Sequence, residues 1–332
     1  MRIEPPKPHK TGPAGRFHDF VRRGFVSAAC ANPVDLAGKK IIVTGATPGS
    51  LGFETARTLV SWGACVVVTA RSNPDAAAEA LRARLQDADA RRRVDAHKLD
   101  LSHNDSVAGF TRWFAGTHGD RLDVLVNNAG IHLDLLSRWK EPHLTDDGFE
   151  IQWRTNYLGT AHLTRLLVPL LENTGLATGD ARIVNVVSRL HFKGSNDDLF
   201  ETTRPYNSWT AYGNSKLALV HMTTELQRRY AQKSQVHAYC LHPGSVFTNV
   251  AAKGLEGTGV VEKVRNALSP IEAFFLKTPE EGAQTQIYCA THPGLRGGLY
   301  YDECQPAEVS EDAAAVEVAA RLWADTRAWL PA

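Results

Sequence analysis

A chain of 332 residues with 43% apolar and 22% charged side chains fits two ordinary domains or one large α/β domain, and excludes a disordered polymer. Thirty-seven Lys and Arg against 36 Asp and Glu leave a formal net charge of +1, which excludes a general electrostatic pull toward nucleic acid. No uninterrupted apolar run approaches the roughly 18 residues of a membrane span, so no transmembrane segment is expected.

Residues 1–37 form a basic arm. Within the first forty residues eight basic side chains face only Glu4, Asp19 and Asp35. Pro5, Pro6, Pro8 and Pro13 mark an irregular start. Phe17, Phe20, Val21, Phe25 and Ala28 then recur at helical spacing, with Arg16, Arg22 and Arg23 on the other side. Such a helix either lies on a membrane surface or packs on its own protein; the second reading is expected, because Asp19 and Gly24 interrupt the amphipathic pattern. No apolar stretch here resembles the core of a signal peptide, and an organelle presequence stays open.

From residue 38 to 332 one doubly wound, Rossmann-type α/β domain is expected. Short β-branched runs occur at 41–44, 65–69, 95–99, 124–127, 183–187, 236–241 and 298–301, about seven strands in all. Helical periodicity fills 53–62, 75–86, 105–114, 149–171 and 212–230 between them. Strands apolar on both faces and separated by helices predict a parallel sheet covered on both sides. Ligands of such a sheet bind beyond the carboxyl ends of its strands.

The first strand runs into T-G-A-T-P-G-S-L-G, carrying Gly45, Thr47, Gly49, Ser50, Leu51 and Gly52, and then into a helix. Backbone N–H groups and the helix dipole at such a turn can hold a pyrophosphate. The second strand ends at Thr69-Ala70-Arg71, nineteen residues past Gly52, where an NAD site would place a carboxylate for the ribose hydroxyl. Arg71 instead offers a guanidinium to a 2′-phosphate, so NADP(H) is expected over NAD(H). Asp100 and Leu101 close the third strand beside the expected adenine. Asn127, Asn128, Ala129 and Gly130 close the fourth, where asparagines can stiffen the pocket through neighbouring backbone.

Further along, Tyr212 and Lys216 are four apart, which a helix places on one face. A phenol titrates near pH 10, and a nearby ammonium brings it toward the working range. Ser188 ends the fifth strand, where its hydroxyl can bond a substrate oxygen. Asn156, in a helical stretch, can anchor a water leading from Lys216 to solvent. Any one of these residues alone is more often structural; their order along a nucleotide-binding sheet is the signal.

These motifs resemble the short-chain dehydrogenase/reductase family, and within it the branch of retinol dehydrogenases and the WW-domain-containing oxidoreductase. The likeness spans about residues 38–330 and rests on the glycine loop, L-D-L-S, N-N-A-G, the Asn156/Ser188/Tyr212/Lys216 tetrad and L-H-P-G-S-V-F-T. The branch is marked by G-F-E-T-A-R, T-P-E-E-G-A-Q-T-Q-I-Y and G-G-L-Y-Y-D-E-C. The resemblance implies that Tyr212 is the general acid–base, with Lys216 its activator and ribose ligand. It further implies that Ser188 holds the carbonyl oxygen, that Asn156 keeps the proton relay, and that Pro243, Gly244, Val246 and Thr248 lie by the nicotinamide. Two departures stand out. The glycine loop carries one residue more than T-G-x-x-x-G-x-G, so Ser50 is either inserted or stands for the middle glycine, and Pro48 lacks an N–H. The membrane anchor of the retinoid enzymes is missing from the pattern.

The expected function is therefore an NADP-dependent oxidoreductase working on a carbonyl or alcohol of a mostly apolar small molecule, retinoid-, steroid- or lipid-like. The rival is a weakly active nucleotide-binding scaffold acting through protein partners, which would not need Tyr212 and Lys216 together. Between Ser188 and Tyr212, Phe192, Phe200, Tyr206 and Trp209 either line an apolar pocket or anchor a long loop. The glycines of G-L-E-G-T-G at 254–259 suit a moving lid. Five scattered cysteines without a C-x-x-C spacing argue against a zinc site or a disulfide scaffold, and for a reducing, cytoplasmic setting. Peripheral membrane contact by the arm and homo-oligomer formation stay open.

Overall fold

The computed structural model describes residues 30–201, 204–245 and 277–331. The arm helix at 17–28, the lid glycines at 254–259, and both Val246 and Thr248 lie outside the described residues.

Seven parallel strands form the sheet: β1 (Lys40–Val43), β2 (Cys65–Ala70), β3 (Val94–Lys98), β4 (Val124–Asn127), β5 (Ala181–Val186), β6 (Val236–His242) and β7 (Tyr300–Asp302). An eighth, β8 (Gln305–Ala307), pairs antiparallel with β7, and the order is β3-β2-β1-β4-β5-β6-β7-β8. The alternation of side chains explains why both faces are buried. In β1, Ile41 and Val43 face one core and Ile42 the other; Val66 and Val68 oppose Val67 in β2, as Val124 and Val126 oppose Leu125 in β4.

On one face lie α1 (Leu51–Ser61), α2 (Pro74–Ala83) and, near the C-terminal end, α8 (Gln284–Thr291), contributing Leu59, Leu81 and Ile287 to the core. The short helices α3 (Ala88–Arg92) and α7 (Pro279–Gly282) close connections on the same side. The other face is covered by α4 (Asn104–His118), α5 (Gly159–Thr178), α6 (Ser208–Ser234) and α9 (Val316–Trp329), through Phe110, Leu167, Leu217 and Leu322. A single π-helical turn, Trp153–Leu158, leads into α5.

Residues 30–37 of the arm follow the body of the domain. Leu36 is buried, and the Ala31 N–H donates to Gln284 Oε1 at 3.2 Å. Cys30 is joined to Cys304 in a disulfide, with Cα atoms 6.3 Å apart across 274 residues of sequence. This departs from the expectation of unpaired thiols: the partners meet only because the β7–β8 turn returns to the start of the domain. Cys65, Cys240 and Cys289 are free.

The strand order reverses between β1 and β4. Crevices beyond the carboxyl ends of strands at such a reversal are where open α/β sheets hold their ligands.

Candidate active site

Ser50 caps α1. Its Oγ accepts the Phe53 N–H at 3.1 Å and donates to the Gly45 carbonyl at 3.2 Å, so the serine folds the loop onto the helix start. Gly45 and Gly49 take positive φ, +70° and +79°, the left-handed conformations that favour glycine. Gly52 has a different task. A Cβ there would stand 2.5 Å from Asn128 Nδ2, so this glycine lets the β4 loop approach the helix. Ser50 is thus the helix cap, and with Leu51 it opens the N-terminus of α1 to the cavity.

The loops after β1 and β4 are tied together by polar side chains. Thr44 Oγ1 accepts the backbone N–H groups of Asn128 and Ala129 at 3.0 and 2.9 Å, while Asn128 Nδ2 donates to the Thr44 carbonyl at 2.8 Å. Asn127 points the other way, donating to Thr164 Oγ1 and Asn185 Oδ1 inside the core. The two asparagines therefore split the bracing between the loop and the sheet.

A cavity runs along these strand ends. Gly45, Thr47, Ser50, Leu51, Arg71, Asp100, Leu101, Asn128, Ala129 and Gly130 all line it, together with Thr69, Ser72, His132, Leu133 and Thr155, which the motifs do not mark. Gly49 and Gly52 serve the loop's shape without lining it. Arg71 is exposed at the end of β2 and makes no hydrogen bond or salt bridge among the described residues. Asp100 Oδ1 accepts both the N–H and the hydroxyl of Ser102, at 3.0 and 2.6 Å. Burial opposes the Asp100 charge, but the Ser102 hydrogen bonds, with the charges of His103 and Arg71, outweigh it and hold the pKa below the usual carboxylate value. An open helix start and a row of strand-end backbone groups fit a nicotinamide dinucleotide.

Ser188, just past β5, caps a 3₁₀ turn over Arg189–Lys193. His191 Nδ1, 2.7 Å from the Ser188 carbonyl, steadies the turn, and Gly194 packs directly against Gly213 of α6. Tyr212 lies partly covered on that helix. Burial pushes its phenol up to about 12, and the nearby Ser188 side chain works in the opposite direction. Lys216 is 3% exposed, donates to the Val186 carbonyl at 2.9 Å, and is pushed down to about 8 by burial. Its Nζ stands 5.5 Å from the centre of the Tyr212 ring. In this arrangement the ammonium donates to the β5 backbone beside the Tyr212 ring.

Asn156 sits in the π-turn, fully buried. Its Oδ1 accepts the Ile131 N–H at 2.7 Å, and its Nδ2 donates to the Ile131 carbonyl at 2.9 Å and to Ser215 Oγ at 3.1 Å. A Cβ on Gly130 would lie 3.3 Å from both Asn156 Oδ1 and Lys216 Nζ, so these two side chains flank the same stretch of backbone. The neighbouring Arg154 is buried as well, bonding Asp147, Asn104 and the Leu101 carbonyl, and so ties the π-turn to the loop after β3. Pro243 and Gly244 follow β6; Gly244 has φ +86° and packs against the Lys277 side chain.

In the Ser188–Tyr212 loop none of the four aromatic residues lines the cavity. Phe200 packs on the core with the Arg321 guanidinium 3.8 Å from its ring centre, and the Tyr206 hydroxyl donates to Glu150 Oε1 at 3.1 Å. These two anchor the loop. Trp209 meets His132 edge-on at 4.7 Å beside Tyr212, whereas Phe192 is exposed. Among the described residues, no helix is long and apolar enough to cross a membrane.

Comparison with known proteins places the chain among relatives of similar length. The family model for short chain dehydrogenases matches residues 39–258. Human retinol dehydrogenase 13 is 35% identical over 323 residues, covering 95% of this chain and 90% of the relative. Human retinol dehydrogenase 11 is 34% identical, covering 91% and 89%, and a probable oxidoreductase of Streptomyces antibioticus is 37% identical, covering 87% and 97%. Among solved structures, an uncharacterized protein from Mycobacterium paratuberculosis superposes with a TM-score of 0.66 at 30% identity, covering 91% of this chain and 97% of that one. The Pseudomonas aeruginosa RhlG/NADP active-site complex gives 0.60 at 25% identity, covering 82% and 97%.

Proposed function

The chain belongs to the short chain dehydrogenase family and is an NAD(P)-dependent oxidoreductase acting on CH–OH groups, and from that premise we propose an NADP-preferring enzyme for an apolar carbonyl or alcohol, retinoid-, steroid- or lipid-like. The observation that carries this reading is that Asn156 and Lys216 flank Gly130, with Tyr212 beside Lys216, and that Gly130 lines a cavity that reaches Arg71.

When bound, a nicotinamide dinucleotide supplies the hydride for the carbonyl carbon, or accepts it from the alcohol. In this proposal the capped start of α1 holds the pyrophosphate, and Asp100 and Leu101 bound the adenine. Arg71 pairs with the 2′-phosphate. Ser188 holds the substrate oxygen with its hydroxyl, and Tyr212 gives that oxygen its proton in reduction and takes it back in oxidation. Lys216 serves the ribose and the phenolate. Asn156 braces the backbone over which the proton relay passes. Pro243 and Gly244, with Val246 and Thr248 from outside the described residues, complete the nicotinamide end in this reading. The retinoid-like, apolar character of the substrate in this proposal rests on the likeness to the retinol dehydrogenases.

A screen of NADPH oxidation against aldehydes and ketones, retinal among them, tests the reading. Tyr212→Phe should bind NADPH as the parent does while turning over on the order of 100-fold more slowly. If every accepted carbonyl is reduced equally by both proteins, Tyr212 is not the acid and the proposal fails.

A further inference from the structure

His132 follows N-N-A-G-I and belongs to none of the motifs, yet it is the residue against which Tyr212 rests. The two rings are stacked, with centroids 4.1 Å apart and planes 14° from parallel. Trp209 closes on the imidazole from the side, edge-on at 4.7 Å and 85°, and its own indole N–H is fixed on the Leu135 carbonyl at 3.1 Å. His132 also lines the cofactor cavity, so it stands where the cavity and the tyrosine meet.

The backbone on both sides of His132 is held by one helical turn. Asn156 takes the N–H and carbonyl of Ile131, and Gln152 Oε1 accepts the Leu133 N–H at 3.0 Å. Gln152 Nε2 reaches on to the Ser208 carbonyl at 3.0 Å, and Ser208 Oγ to the Asp134 carbonyl at 2.7 Å, which ties this stretch to the start of the helix that bears Tyr212. A flat ring gripped through both chain neighbours and backed by an indole cannot easily rotate. Whatever stacks on it is held in its plane.

Resting on the proposed reaction, we infer that His132 is a positioning residue: its ring sets the plane of Tyr212 and thereby aims the phenol at the oxygen that Ser188 holds. Burial, and secondarily the Lys216 charge, push the imidazole down to about 4, so it acts as a neutral surface and contributes no charge to the proton transfer. Its Nε2 is buried without a hydrogen-bond partner among the described residues, so the imidazole is not kept in place by a polar contact of its own there. Stacking is what holds it, and stacking is what it provides.

The test uses the full chain with NADPH and a carbonyl substrate found in the screen. His132→Ala removes the flat face; His132→Phe keeps it and deletes the nitrogens. The Ala variant should lose about tenfold or more in kcat, a larger effect than on NADPH affinity, because small misplacements of a catalytic group are costly. The Phe variant should recover most of that loss. Crystal structures should show the Tyr212 ring turned away in the Ala variant and in its parental plane in the Phe variant. Should the Ala variant fail to fold, His132→Leu fills the space without a flat face and is read the same way. Parental kcat in the Ala or Leu variant, or a Phe variant as slow as Ala, overturns the inference. If the parent itself reduces no carbonyl, the proposed function fails, and the orientation of Tyr212 in the variant crystals still decides this point: an unmoved ring refutes it.

Discussion

At the scale of single residues, the charge at the end of β2 decides cofactor choice. Arg71 is exposed and free of salt bridges among the described residues, and the nearby Asp100 carboxylate is occupied by Ser102. A guanidinium on a phosphate is worth roughly 1.5–3 kcal/mol, about one to two decades of affinity, before screening. NADPH is therefore expected to bind several-fold more tightly than NADH, the gap shrinking as salt rises, and Arg71→Ala should remove most of it. Titration of both nucleotides into both proteins measures this; tighter NADH binding in the parent dismisses Arg71. Tyr212 and Lys216 are legible in the chain because a four-residue spacing has one meaning on a helix. His132 is not. It lies in a turn where no periodicity constrains side-chain direction, and only the path of the loop brings it onto the tyrosine. The sequence also points to an ammonium near the phenol, and the folded chain sets Lys216 Nζ 5.5 Å from the Tyr212 ring centre while it donates to the Val186 carbonyl.

At the scale of elements, the site depends on how tightly the Ser188 turn seats on α6. A Cβ on Gly213 would lie 2.8 Å from the Leu190 carbonyl oxygen and 2.9 Å from the Gly194 nitrogen, both backbone atoms that cannot swing aside. Gly213→Ala should push the turn off the helix and part Ser188 from Tyr212. Turnover is expected to fall by about tenfold or more while NADPH affinity, set at the far end of the cavity, stays near the parental value; a variant with parental kcat would show that the seating is loose. The parallel strands and the helices between them are legible in the sequence, since buried β-branched runs and amphipathic segments are dictated by which faces must leave water. The π-turn at Trp153–Leu158 has the sequence pattern of plain helix, because one extra residue in a turn leaves the apolar spacing almost unchanged. β8 leaves no trace in the pattern: Gln305–Ala307 is three exposed residues with a proline, held by pairing with β7 and not by any periodicity of its own. The Cys30–Cys304 pair is equally hidden, because spacing along the chain carries no record of two distant segments meeting.

At the scale of the whole molecule, the buried Lys216 makes stability depend on pH. Its folded pKa, about 8, lies below the ordinary 10.5, so the unfolded chain binds this proton more tightly. The penalty is complete below pH 8 and is relieved as pH rises toward 10.5. Without nucleotide, the parent should gain about 2 kcal/mol relative to Lys216→Met between pH 7 and pH 10 in urea unfolding, since each tenfold difference in proton affinity is worth about 1.4 kcal/mol. A constant difference would mean that the ammonium is solvated in the folded protein. The same topology that buries this lysine gathers the carboxyl ends of β1, β2, β3 and β4 into one cavity, with Lys216 packed behind its Gly130 and Tyr212 behind its His132. Hydride transfer there is the central claim, and isotope transfer tests it most directly. NADPH deuterated at the transferable position of the nicotinamide should deliver its deuterium to the carbinol carbon of the product alcohol, in step with cofactor oxidation, and Tyr212→Phe should slow both together. Cofactor oxidation that leaves the product alcohol unlabelled would contradict the account.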